Sequence, residues 1–157
     1  MIDVTKEYSI SELKKELTDL LFRQDSSEKA LELIDVCERS THELSKSIKD
    51  LIESIDDTQN YVDEKNYFRS KVLIGNIMRK TYEILDFSNV CSYSLYTAAK
   101  SECSEDLQNR LKGLNTFISF ELREYKRAFM DKISPLYDEY KDMEADFLID
   151  QYLENKN

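Results

Sequence analysis

The last third of the chain constrains the fold most. From Ser104 to Glu154 the apolar residues step forward by four, three and four: Leu107, Leu111, Leu114, Ile118, then Leu122, Tyr125, Phe129, then Ile133, Leu136, Tyr140. Three columns recur every eleven residues: Leu107, Ile118, Phe129, Tyr140; Leu111, Leu122, Ile133; and Leu114, Tyr125, Leu136, Phe147. Eleven residues over three turns is about 3.67 per turn, so such a stripe runs nearly straight along a helix. A helix of this kind needs partners along its whole length. Pro135 lies inside it, where proline removes a backbone donor and collides with the preceding turn. Ser134-Pro135 also suits a helix start. The last helix, 104–154, is therefore expected to be kinked or broken at Pro135, although the eleven-residue phase passes through unbroken. Unbroken, it would span about 75 Å, which exceeds a compact domain of this size.

The rest of the chain reads as the partners of that helix. Two Gly and one Pro in 157 residues leave little with which to build hairpins or phosphate loops. The expectation is an all-α, antiparallel helical bundle with long coiled-coil-like helices, forming a single domain over 1–157. Helix candidates are 9–23, 27–55, 61–86, 88–100 and 104–154. Ser9 and Glu12 have capping-box spacing ahead of Ile10, Leu13, Leu17, Leu20 and Leu21. Asp25 or Ser26 suits the cap of the second helix. Ala30, Ile34, Cys37, Thr41, Leu44, Ile48, Leu51 and Ile55 alternate steps of four and three, a heptad seam. A turn is expected at Asp56-Asp57-Thr58-Gln59-Asn60, which are good caps and poor helix interiors, although Thr58 and Val62 continue the heptad. The third helix is apolar over more than half its circumference, through Tyr67, Phe68, Val72, Leu73, Ile74, Ile77, Met78, Ile84 and Leu85. It is expected to sit centrally, with Gly75 marking a close helix approach. Val90 to Tyr96 alternates like a strand, yet Phe87, Val90, Cys91, Leu95, Ala98 and Ala99 fit a helix offset at Ser88-Asn89; helix is the reading taken. Ser101 or Ser104 then caps the last helix.

Charge and cysteine usage bound the setting. The net charge of −10 disfavours direct binding to nucleic acid. It concentrates in 138–154, where seven acids face Lys141 alone for a net −6, and in 26–57, with nine acids against four bases. Three cysteines, Cys37, Cys91 and Cys103, form neither a C-x-x-C pair nor an even disulfide set. The N-terminus, Met-Ile-Asp-Val-Thr-Lys-Glu, lacks the apolar core of a signal peptide, and no apolar run reaches membrane-spanning length. A cytoplasmic protein without a membrane partner is expected.

Catalytic constellations are sparse. The one histidine lies in Ser40-Thr41-His42-Glu43-Leu44-Ser45-Lys46-Ser47-Ile48. These nine residues resemble the phospho-acceptor box of sensor histidine kinases and related phosphotransfer bundles. The resemblance implies a phosphotransfer domain using His42, without the nucleotide-binding region of a kinase; the proline such boxes carry is missing. Two Glu-x-x-His motifs, as a di-iron bundle requires, cannot come from one histidine. Asp142, Glu144 and Asp146 lack the spacing and glycine of an EF-hand loop. Cys37 lies on the seam, where it reads as a small buried hydrophobe. Lys65, Arg69 and Lys71 among Tyr61, Tyr67 and Phe68, and Arg123, Lys126 and Arg127 beside Tyr125, could hold a single strand, but read better as ion-pair partners of the acidic second helix.

The reading that follows is a non-catalytic acidic helical interaction module, an adaptor or inhibitor, with no enzyme activity, metal or cofactor. Its partner is another protein, for which a basic surface fits the charge, or a second copy of the chain. The candidate contact residues are Tyr140, Phe147, Leu148, Ile149, Tyr152 and Leu153 with Asp142, Glu144 and Asp146, since apolar residues so near the end have few intramolecular neighbours. Alternatives are an acidic, immunity-type inhibitor occupying the basic nucleic-acid site of its target, and the phosphotransfer domain.

Overall fold

Heptad seams dominate the architecture. A computed structural model of the chain describes residues 9–22, 29–100 and 104–156, and among them there are helices and no strands. The elements are α1 (Ile10–Phe22), α2 (Lys29–Asp63), α3 (Tyr67–Ala99), α4 (Glu105–Ala128), a π-helical turn (Phe129–Ile133) and α5 (Ser134–Lys156). The expected cap at Asp25 or Ser26, the Ser101 cap and Cys103 lie outside the described residues. The all-α bundle of long helices expected from the sequence is what forms.

Local chemistry sets the helix ends. The Glu12 N–H donates to Ser9 Oγ at 3.2 Å, so Ser9 caps α1. Ser104 caps α4 in the same way, accepting from the Leu107 N–H at 3.3 Å. The turn expected at 56–60 is absent, because α2 runs on to Asp63. Thr58 occupies the seam as a buried residue, and its hydroxyl donates to the Ser54 carbonyl at 2.7 Å, so the helix absorbs its polarity. The reversal comes at 64–66 instead. Lys65 adopts a left-handed φ of 57°, its N–H bonds Val62 O, and the Asn66 N–H reaches back to Tyr61 O, both at 3.0 Å. This is a Schellman closure made without glycine. Asn66 then caps α3, its Oδ1 accepting from the Arg69 N–H at 3.2 Å.

α3 is one helix through Ser88-Asn89 to Ala99, where the sequence suggested an offset. It also differs from the central helix expected, since Phe68 and Val72 are 69% and 57% exposed. The buried face is one seam, Ser70, Ile74, Ile77, Thr81, Ile84, Ser88, Cys91, Leu95 and Ala98, widened by Phe87 and Ser94 in the second half of the helix. Its small hydroxyls are mostly silenced locally, Thr81 on Ile77 O at 2.8 Å and Ser88 on Ile84 O at 2.7 Å. Ser70 Oγ is buried without a hydrogen-bond partner. Gly75 marks no close approach, because a Cβ there would meet nothing within 4 Å.

The chain forms two compact units. The first joins α1, α2 to Ile48, α3 from Glu83 and α4 to Arg123. Its core contains Leu13, Leu17, Leu33, Ile34, Leu44, Phe87, Leu95 and Leu111. Arg110 bridges α4 to α2, reaching Asp35 at 2.7 Å and Glu38 at 2.8 Å, and Lys14 of α1 pairs with Asp86 of α3. The second unit holds the end of α2, the start of α3, the end of α4, the π turn and α5. Leu51, Ile55, Val62, Ile77, Ile133, Leu136 and Tyr140 fill it, and Lys132 pairs with Asp56 at 3.5 Å.

The eleven-residue columns all lie on the covered side of the last helical stretch, with Leu114, Tyr125 and Leu136 buried, but the steps between them are uneven. The buried residues up to the end of α4 are Leu111, Leu114, Ile118, Glu121, Tyr125 and Ala128, a heptad; Leu107, Leu122 and Phe129 are half-buried. The next buried residue is Ile133, five positions on, followed by Leu136 and Tyr140. The extra residue is absorbed by the π turn, where the Ser134 N–H bonds Phe129 O. A helix packed against heptad neighbours must repeat at about 3.5 residues per turn, and one wide turn restores the phase. That turn directly precedes Pro135 and loosens the turn that proline would otherwise crowd. The helix is thus continued past Pro135 through a π turn and is not broken there.

These positions set the expected effects of substitutions and deletions. Gly75→Ala and Gly113→Ala, each adding a methyl in open space within a helix, are expected to stabilise by about 0.5–1 kcal/mol apiece in denaturant melts. Ser70→Ala, which removes a buried unpaired hydroxyl, is expected to act in the same direction. Deleting the exposed Met130 together with Pro135→Ala should convert the π turn to α with both seams in phase, and keep the melting temperature within about 5 °C of wild type. Deleting the exposed Asn115 instead rotates every later seam residue by about 100° and should abolish cooperative melting.

Candidate functional site

α5 carries two different surfaces. One is used inside its own unit. Tyr140 is 5% exposed, and its hydroxyl donates to Glu144 Oε2 at 2.8 Å. The Tyr67 hydroxyl donates to the same oxygen at 3.2 Å, and Lys141 Nζ reaches Oε1 at 3.1 Å. Burial, then the bond to Glu144, pushes the Tyr140 phenol above the usual tyrosine range. Hydrogen bonds from Tyr140 and then Lys141 hold the Glu144 carboxyl below its usual range. Tyr140 and Glu144, candidates for partner contact, are therefore internal. Phe147 stacks on Tyr67 at 4.1 Å between ring centres and meets Phe68 edge-on at 5.4 Å, which ties α5 to the start of α3.

The other surface faces solvent. Every described residue after Phe147 is exposed, including Leu148 at 57%, Ile149 at 56%, Tyr152 at 60% and Leu153 at 52%. On the adjoining side a groove of about 700 Å³ opens between the α2–α3 turn and α5. Val62, Met143 and Phe147 line it with apolar surface, and Asp142, Asp146 and Asp150 stand exposed along it. None of these three aspartates has an ion-pair partner among the described residues. Of the sequence candidates, Phe147, Ile149, Asp142 and Asp146 meet at this groove. Val62, Asp63, Lys65, Tyr67, Glu139, Met143 and Asp150 complete it and were not among them. Asp150 continues the spacing of Asp142 and Asp146 and was legible; Tyr67, eighty residues from Phe147, was not.

The remaining candidates lie elsewhere. His42 is exposed on α2, beside an Arg39–Glu43 pair at 3.9 Å. Cys37 and Cys91 are buried, with Cys37 Sγ 4.0 Å from the Cys91 carbonyl oxygen. Hydrogen bonding to Cys91 and burial push the Cys37 thiol well up, which disfavours the thiolate a nucleophile needs. Arg69 and Lys71 lie over the Tyr61 and Tyr67 rings at 5.6 and 6.0 Å, while Arg110 and Lys132 make ion pairs to α2. Among the described residues no group of three metal-ligating side chains gathers, and no helix is long and apolar enough to cross a membrane.

No family model matches the chain, and neither the curated proteins nor the solved structures yield a match.

The Tyr140–Glu144 contact predicts opposite pH dependences. The phenol is raised in the folded state, so its stabilisation is full below its ordinary value of 10.0 and is lost as pH climbs past it. The carboxyl is lowered, so its stabilisation holds above the ordinary carboxylate range and is lost as pH falls through the folded value. In thermal melts across pH, Tyr140→Phe is expected to cost about 1 kcal/mol at neutrality and to remove part of the alkaline loss. Glu144→Gln should remove part of the acid loss.

Proposed function

We propose that this chain is a non-catalytic, acidic, helical protein–protein interaction module, an adaptor or inhibitor working in the cytoplasm through α5. The observation that carries the reading is the run from Leu148 to Lys156. A helix end exposing Leu148, Ile149, Tyr152 and Leu153 together, more than half accessible each, is apolar surface that its own unit leaves uncovered. Contiguous patches of this kind mark association sites on proteins.

The test separates contact from stability. L148A/I149A/Y152A/L153A keeps helix-forming residues and removes only exposed side chains, so its melting temperature is expected to match wild type. Its ability to capture the wild-type chain's partner from native cells should be lost, as it should for a chain ending after Phe147. Unchanged capture by both variants, with a wild-type chain that light scattering shows to be monomeric at every concentration, would overturn the reading.

A further inference from the structure

We infer that the groove beside α5 receives a basic amphipathic helix of another protein, an inference that rests on reading α5 as an interaction surface. The apolar lining, Val62, Met143 and Phe147, is buried or half-buried, whereas Asp142, Asp146 and Asp150 stand exposed along one side of α5. Their four-residue spacing sets the carboxylates about 6 Å apart along the helix, the distance at which a second helix presents cations at i and i+4. Glu139 and Asp63 each accept from Gln59 Nε2 at 2.8 Å and are already engaged; the three aspartates are not.

Charge selects the occupant. A second copy would bring another stretch of net −6 to the same place, and phosphate-rich strands or anionic lipid surfaces are repelled likewise. A cationic partner gains at each rung. A helix also suits the groove better than an extended peptide. An extended chain binds by adding to a sheet edge, and the described residues contain no strand to extend. Against α5 an extended chain would leave its own backbone groups unpaired, while a helix satisfies them internally and lays an apolar stripe on Met143 and Phe147.

The test uses the full chain and a fluorescent synthetic peptide of about five helical turns, with lysine on one face and leucine with one phenylalanine on the other. Fluorescence anisotropy should show binding that weakens steeply between about 50 mM and 300 mM salt. D142N/D146N/D150N should weaken it about tenfold. D50N/E53Q/D57N makes the same net-charge change at exposed sites of α2 outside the groove lining and should leave affinity unchanged. A scrambled peptide of equal composition should bind about tenfold more weakly. Equal losses in the two charge variants, equal binding of the scrambled peptide, or tighter binding of an oligonucleotide, anionic vesicles or a second copy at this face would overturn the inference. If the peptide fails while L148A/I149A/Y152A/L153A still loses its partner, the basic helix is refuted and the interaction module stands. If the peptide binds as expected while that variant keeps its partner, the groove stands and the exposed tip is refuted as the contact.

Discussion

Phase between neighbouring helices is the constraint on which the structure depends. The seams of α2 and α3 repeat every seven residues from Ala30 to Val62 and from Ser70 to Ala98. A helix that packs on such seams keeps its apolar residues facing them only if it repeats at the same period. The sequence of the last third carries three eleven-residue repeats, and a straight helix with that period would turn its stripe away from heptad partners. The conflict is resolved by position: three heptads lead from Leu107 to Ala128, five residues cross the π turn to Ile133, and one heptad reaches Tyr140. Glu121 and Ala128 replace Leu122 and Phe129 as buried seam residues, because partner geometry outweighs the greater apolar area of the latter pair.

That resolution explains which parts of the fold were legible in the sequence. The α2 seam was readable because each of its positions is buried, from Ala30 through Ile55, and the same steps carry on to Thr58 and Val62. Ser9 and Ser104 were readable because an N-cap is a local event. The α2–α3 reversal was not, because its decisive residue is a lysine in a left-handed conformation, which sequence ordinarily assigns to glycine or asparagine. The polar run at 56–60 misled for the complementary reason. Thr58 returns its hydroxyl to Ser54, so a residue that reads as a helix breaker becomes a seam residue. In α3 the count of apolar residues overstated burial: Ser70, Thr81 and Ser88 hold seam positions while Phe68 and Val72 face water.

The candidate site divides along the same line between local and long-range information. The acidity and apolarity of the C-terminal helix are readable from spacing alone. The division of its residues into internal and external sets depends on Tyr67, which lies 77 residues before Glu144 in the chain. One ring stacked on Phe147 and one hydroxyl on Glu144 engage two candidate contact residues within their own unit. The same contact fixes α5 against the hairpin end and so forms the wall of the groove. No periodicity in the sequence contains that pairing.

Acidity has a second consequence for the exposed end of α5. Leu148, Ile149, Tyr152 and Leu153 on a neutral helix would be a surface for self-association, since burying apolar area is favourable whatever the partner. Here Asp146, Asp150 and Glu154 are interleaved with them, within a stretch of net −6. Two such ends brought together must bring their like charges together too, at a cost that rises as water is excluded. A cationic partner reverses the sign of that term and leaves the apolar gain intact. If α5 is the interaction surface proposed above, the interleaving penalises like-charged partners over the same few turns of helix that offer the apolar contact. Neither the apolar residues nor the acids would achieve this alone. On the proposed reading, their alternation along the same turns of one helix is what would make the surface selective.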